Sequence, residues 1–349
     1  MSKTLTTYSM WRRFRNCRKA HYWRHERQLV PLEINERFFI GSLVHSCLED
    51  FAKHQQSDMG TAANDAYILG IKAKIDAAFA NRDTDWSARR NWHMTLAMME
   101  VYSMKYYDDP YEYVGIEQKF EGDIINPETG AASRTFSLGG KVDAIVRNKR
   151  TGLYYLKENK TASKIDDDYL NRLWCDFQII LYSHYVQKEL GITLSGVVYD
   201  ILGKTTLKQA KEETEEEYET RKAELQAKSK TGKPSTAKRK LGEPDDVFRE
   251  RLLERYNNPL ERMLERKVLV IDQVRFEQLQ AELWENGQAL LEARRRGMYY
   301  QNTSFCYMYR TECEYLELCR NNGDQGVIDN FFRVEAPNSE LREDANVPF

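Results

Sequence analysis

An aspartate on one apolar-rich stretch and a Glu-x-Lys triplet on the next constrain this chain more than any other feature. Lys141-Val142-Asp143-Ala144-Ile145-Val146 and Tyr155-Leu156-Lys157-Glu158-Asn159-Lys160 both read as strands. The residues between them, Asn148-Lys149-Arg150-Thr151-Gly152, end in a glycine that suits a hairpin turn. Side chains two apart on a strand point the same way, so Glu158 and Lys160 share a face. A register that brings Asp143 alongside gathers two carboxylates and an ammonium at one spot. Two hard oxygen ligands suit Mg²⁺, and a nearby lysine suits attack of water on a phosphate. Taken alone, the same residues also fit a solvated hairpin with ordinary surface charges.

The 349 residues allow one large domain with insertions or two domains. A hydrophobic content of 41% permits a proper core, and 30% charged residues favours a soluble protein. No apolar run is long enough to span a bilayer, and the start lacks the apolar segment of a signal peptide, so a cytoplasmic location is expected. The formal net charge of −2 gives no global attraction to nucleic acid. DNA binding would need local basic surfaces, or metals that offset an acidic site.

Along the chain, residues 1–30 are rich in arginine and aromatics. Ile40, Leu43, Val44, Cys47, Leu48 and Phe51 then mark a helical stripe, and 60–108 continue in helix-compatible sequence. Strands are expected over 113–120, 135–147 and 153–160, a long helix over 167–190 and a strand over 196–202. Residues 204–245 read as a charged, protruding insertion containing a flexible loop at 229–236. Helix over 246–265, a strand at 268–271 and a helix over 273–296 follow, and 323–349 reads as a partly ordered tail. The expected division is a mainly helical part (1–110), a core (111–203), the insertion (204–245), a second helical part (246–322) and the tail, forming one composite domain.

Three further groups carry potential chemistry. Gly41, His45 and Glu49 lie at helical spacing beside the apolar stripe, where a lone histidine is more often a packed core residue than a ligand. Gln178 and Tyr182 form an i, i+4 pair on the helix after Lys160. Cys306, Cys313 and Cys319 crowd a polar, aromatic-rich stretch, and Cys17 is the candidate fourth thiol, far away in sequence. In an intracellular chain such cysteines are metal ligands, redox groups or buried thiols before they are disulfides. Cys47 reads as core, and Cys175 has no motif partner. In the basic start, Arg12, Arg13, Arg15, Arg18, Lys19 and Arg24 interleave with Trp11, Phe14, Tyr22 and Trp23, a composition suited to phosphate contact and base stacking or to an amphipathic helix with buried rings.

Gly139-Gly140-Lys141-Val142-Asp143 with Glu158-Asn159-Lys160-Thr161-Ala162-Ser163 resembles the PD-(D/E)xK nuclease superfamily, and its RecB-like, phage-encoded branch in particular. The usual proline before the aspartate is absent, as it often is in that branch. The resemblance implies an α/β fold: a restriction-endonuclease-like core with a central mixed β-sheet flanked by helices, a helical N-terminal region, a helical insertion and a C-terminal cysteine cluster. It implies Mg²⁺ or Mn²⁺ held by Asp143, Glu158, the Asn159 backbone carbonyl and His45, the last from the Gly-x-x-x-His helix of that branch. Lys160 would position water and stabilise developing charge, and Gln178 and Tyr182 match the Gln-x-x-x-Tyr that lines the site. Glu117 stands between an assisting carboxylate and a structural one.

Cys17 with Cys306, Cys313 and Cys319 resembles the ligand set of iron–sulfur nucleases of the RecB-like group, of the AddB type, in which a 4Fe-4S cluster joins the ends of the domain. Six residues separate Cys306 from Cys313, where those relatives commonly have two. Four thiolates can equally hold zinc, and the resemblance favours iron–sulfur. The expected activity is a DNA exonuclease acting on ends or single strands with weak sequence preference, in phage or prophage recombination, replication or repair, with a recombinase or helicase as possible partner. The competing expectation is an idle DNA-binding or scaffold subunit with a structural iron–sulfur or zinc site.

Overall fold

The structure is a computed structural model describing residues 3–33, 36–57, 61–80, 86–228, 236–271, 273–308, 311–336, 338 and 341. The loop expected at 229–236 and the end of the tail, 342–349, fall almost wholly outside the described residues. In chain order the first elements are β1 (Thr4–Thr6), α1 (Tyr8–Asn16), α2 (Arg18–His21), β2 (Leu29–Pro31) and the long helices α3 (Glu36–Gln56), α4 (Thr61–Phe79) and α5 (Trp86–Lys105). The central strands β3 (Tyr111–Ile125), β4 (Ala132–Asn148) and β5 (Tyr154–Ala162) come next, followed by α6 (Asp167–Arg172), α7 (Phe177–Leu190) and β6 (Leu194–Gly203). The rest comprises α8 (Glu215–Ala227), α9 (Asp245–Asn257), β7 (Leu264–Leu269), α10 (Gln273–Arg296), β8 (Tyr307–Met308), β9 (Thr311–Glu312), α11 (Leu316–Arg320), α12 (Gln325–Phe331) and β10 (Phe332–Val334).

The expected helix, three strands, helix, strand order is present. The hairpin turns where its composition says it should. Asn148 Oδ1 accepts from the backbone N–H of Arg150 and Thr151, and Gly152 adopts φ +71°, a conformation that disfavours side chains. Four strands form a mixed ladder: β4 pairs antiparallel with β3 and β5, and β5 pairs parallel with β6. On the outside β7 adds antiparallel to β6, and β1 runs parallel to β4 at Phe136–Leu138. Since β3 runs along one edge of nearly all of β4, β1 and β5 must share the other edge, at different ends.

Helices cover both faces. Against one, α1, α7 and α10 bury Trp11, Phe14, Ile179, Leu181, Leu283 and Leu290 with Leu138, Val142, Ile145 and Leu156 of the sheet. Against the other, Ala52 of α3 packs on Ala144, Val146 and Val198, and α3, α4, α5 and α9 form their own apolar cluster beyond it. This two-sided burial explains why the central strands read as apolar runs.

Three element expectations need correction, and the tail expected to be partly ordered has an ordered start. The helix over 167–190 is broken: α6 ends at Arg172, a 3₁₀ turn spans Leu173–Cys175, and Asp176 (ψ 80°) precedes α7. The helix over 246–265 stops at Asn257, because Asn258 precedes Pro259 and is pushed to extended backbone (ψ 112°). The following strand begins at Leu264, four residues before the expected 268. The start of the supposed tail is structured: β10 pairs antiparallel with β2, joining the two ends of the chain. No helix among the described residues is long and apolar enough to cross a membrane.

Candidate active site

The β4–β5 pairing stops at Ala144 opposite Lys157, so Asp143 and Glu158 are the next residues facing one another. There the strands part. The Asn159 backbone N–H donates to Asp143 Oδ2 at 2.8 Å, so a carboxylate takes over where the ladder ends. His45 reaches in from α3, with Nδ1 3.4 Å from Asp143 Oδ2. Lys160 Nζ lies 2.7 Å from Glu158 Oε1 and 3.1 Å from Asp176 Oδ2. The sequence-derived residues Asp143, Glu158, Asn159, Lys160 and His45 therefore meet at one place, joined by an aspartate that the unbroken-helix expectation concealed.

The electrostatics are those of a site with surplus negative charge. Burial, aided by Asp143, pushes Glu158 up to about 7 against the pull of Lys160. For Asp143 burial works in the same direction, but His45, the Asn159 N–H and Lys160 outweigh it and hold the carboxyl below its usual range. Burial disfavours the Lys160 ammonium, yet Glu158 and Asp176 raise its pKa well above the ordinary lysine value. In this arrangement the Lys160 ammonium is suited to binding negative charge. The His45 imidazole is likewise disfavoured as a cation by burial, and Asp143 more than compensates.

Two facing carboxylates of which one resists ionisation are a donor set that a hard divalent cation fits. Among the described residues no three His, Cys, Asp or Glu side chains stand around one point as a bound ion requires. The reason is visible: Lys160 occupies Glu158, and His45 with the Asn159 N–H occupies Asp143.

Of the Gln178–Tyr182 pair, Gln178 is half-buried, while Tyr182 is buried edge-on to Phe120 with ring centroids 4.8 Å apart. Both rings lie over Gly140, where an added Cβ would come within 2.6 Å of Phe120 Cζ and Tyr182 Cζ. The Gly139–Gly140 stretch thus permits close ring approach next to Asp143. Glu117 adopts φ +51° within β3 and pairs with Lys141, two residues from Asp143. Burial and Asp143 raise its pKa against Lys141.

Behind the site lies a group that single-sequence reasoning missed. Lys157 is 1% exposed and lies 2.8 Å from Asp200 Oδ2 and 3.9 Å from Asp109 Oδ2, and it donates to Tyr113 Oη at 2.8 Å. Arg266 bridges both aspartates, and Tyr102 donates to Asp200 Oδ2 at 2.6 Å. Two cations and two carboxylates balance, and one of them, Lys157, lies in the strand that carries Glu158.

All six cysteines are free thiols. Cys17, Cys313 and Cys319 pack on one apolar cluster with Trp23, Tyr315 and Leu318, and the Cys313 N–H donates to the Cys306 carbonyl at 2.8 Å. Cys17 Sγ accepts from the Asn302 N–H and Cys319 Sγ from Trp23 Nε1, each at 3.4 Å. Of the two readings of the basic start, Trp11, Phe14 and Trp23 follow the one with buried rings. Their arginine neighbours are also engaged: Arg13 pairs with Glu314, Arg15 with Glu282 and Arg24 with Glu335.

A search of curated proteins finds no match to this chain. The sequence model described as the PD-(D/E)XK nuclease superfamily matches residues 6–320. That span runs from β1 to the end of α11.

Proposed function

The chain belongs to the PD-(D/E)XK nuclease superfamily, and we propose that it is a Mg²⁺- or Mn²⁺-dependent deoxyribonuclease, an exonuclease of the RecB-like branch. The observation that carries the reading is Asp143 facing Glu158 where β4 and β5 part, with Lys160 held on Glu158 at 2.7 Å. Asp143, Glu158, the Asn159 carbonyl and His45 would hold the cation. When bound, a divalent cation supplies neutralisation of phosphoryl charge and acidification of the attacking water.

The side chains do the rest. Lys160, kept cationic by Glu158 and Asp176, hydrogen-bonds the attacking water or a non-bridging phosphoryl oxygen and offsets charge as the phosphorus–3′-oxygen bond breaks. Asp176 holds the Lys160 side chain in place. His45 fixes the orientation of Asp143. Gln178 and Tyr182 line the approach for the strand.

We further propose a 4Fe-4S cluster on Cys17, Cys306, Cys313 and Cys319. Four ligands drawn from both chain ends, two of them accepting N–H bonds, support it. Four thiolates can equally hold a single zinc, and the cluster ranks above it on the resemblance alone. Action on DNA ends in phage or prophage recombination, replication or repair, alongside a recombinase or helicase, follows from the branch resembled.

Digestion of end-labelled and circular DNA with each metal tests the activity. Loss of end-labelled substrate with circular DNA spared, abolished by Asp143→Ala, is the expected result. Equal digestion by wild type and Asp143→Ala refutes it. Anaerobically purified protein should be brown with iron and sulfide, and colourless protein with stoichiometric zinc rejects the cluster.

A further inference from the structure

We infer that Trp174 is a stacking platform for an unpaired base of the substrate strand beside the cleavage site, an assignment that rests on the nuclease reading. Trp174 lies in the 3₁₀ turn that breaks the helix, two residues before Asp176, whose carboxylate holds Lys160. Successive Cα atoms are about 3.8 Å apart, so the Trp174 Cα is within about 7.6 Å of that of Asp176. The turn that carries Trp174 therefore adjoins the catalytic cluster.

Among the described tryptophans its exposure stands apart. Trp11 and Trp23 are buried, and Trp92 and Trp284 are half-buried, whereas Trp174 is 51% exposed. A scattered exposed aromatic needs no explanation. This one is held in place. The Arg275 guanidinium covers one face at 3.1 Å from the ring centroid, and its Nη1 donates to the Trp174 carbonyl at 2.6 Å. Among the described residues no second ring or cation covers the opposite face.

A half-exposed indole backed on one face by a guanidinium has the components of single-strand recognition: a π surface for any base and positive charge for the adjoining phosphates. Arg172, exposed and two residues earlier, adds to that charge. Bases stacked in a duplex have no free face to offer, so the platform selects single strands or frayed ends.

The test is fluorescence anisotropy of labelled oligonucleotides in the cleavage-dead Asp143→Ala background, so that binding is read without digestion. Adding Trp174→Ala should weaken binding of a single strand by about 5- to 150-fold. Trp174→Phe should recover most of the loss. On a strand made of abasic nucleotides, the Trp174→Ala difference should vanish. Equal affinity with tryptophan or alanine, an equal loss on the abasic strand, or no single-strand binding at all would overturn the assignment. Digestion by wild type and its loss in Asp143→Ala report separately on the nuclease reading.

Discussion

Lys157→Met should destabilise the fold severely although it touches no reacting group. Lys157 Nζ is 2.8 Å from Asp200 and 3.9 Å from Asp109. At an effective dielectric of about 20 those separations correspond to gross attractions of about 6 and about 4 kcal/mol, part of which the desolvation of the ammonium cancels. Removing the cation leaves Arg266 facing two buried carboxylates alone, and breaking buried pairs in this way costs about 3–5 kcal/mol. The double variant Lys157→Met/Asp200→Asn restores charge balance, so it should be more stable than Lys157→Met, with a coupling of about 1–3 kcal/mol. Urea unfolding of the four proteins in the cycle reads both quantities. A loss below about 1 kcal/mol for Lys157→Met, or additive losses in the double variant, refutes the charge-balance argument. The pH dependence follows the same groups. Burial opposes ionisation of Asp200, but Lys157 and Arg266 outweigh it and hold its carboxyl far below the usual range. Its contribution is therefore complete above about pH 4 and is lost as pH falls through the folded value. Asp200→Asn should flatten the acid limb of the stability curve.

Asp176→Asn removes one of the two carboxylates holding Lys160, and kcat on DNA should fall about 10- to 100-fold with the circular-dichroism spectrum retained. Gly140→Ala places a Cβ against the Phe120 and Tyr182 rings, both packed in the core, so unfolding in urea should show a loss of about 1–3 kcal/mol. Cys17→Ser should lower the thermal midpoint and bleach the visible absorbance of anaerobically purified protein, since Cys17 ties the N-terminal helices to residues near 300–320. A colourless wild type would contradict that reading at the outset.

What could be read from the sequence was whatever local periodicity encodes. The hairpin was legible because a glycine turn and period-2 alternation fix which side chains share a face, and that placed Glu158 and Lys160 together and Asp143 opposite. The α3 stripe was legible for the same reason, which put His45 beside the apolar face. Asp176 was not, because Leu173-Trp174-Cys175-Asp176 contains neither glycine nor proline to mark a helix break. The break is made by tertiary demand: Asp176 leaves helical geometry and meets Lys160. The Lys157, Asp109, Asp200 and Arg266 group was hidden for a different reason. Its members come from four elements or loops, and nothing in one sequence says which distant charges will neutralise one another. The ion pairs of Arg13, Arg15 and Arg24 were hidden in the same way, since their carboxylate partners lie about 270–310 residues away.

The location of the site follows from how the sheet is assembled. β1 pairs with β4 at Phe136–Leu138 and β5 pairs with it at Ala144–Arg147, so residues 139–143 have no strand partner on that edge among the described residues. An open stretch of backbone inside a sheet must find hydrogen bonds elsewhere. Asp143 supplies a carboxylate to the Asn159 N–H across the opening, and Gly140 lets the Phe120 and Tyr182 rings approach the strand beside it without collision. On the other edge β3 keeps one register from Gly115 to Asp123, and Glu117, opposite Asp143, adopts left-handed backbone, where a non-glycine residue costs about 1–3 kcal/mol. That conformation is coupled to an ion pair with Lys141, beside the gap. Strain, the missing ladder and the facing carboxylates therefore coincide at one point of the sheet. A continuous β4–β5 ladder would occupy with backbone hydrogen bonds the space in which a phosphate has to fit.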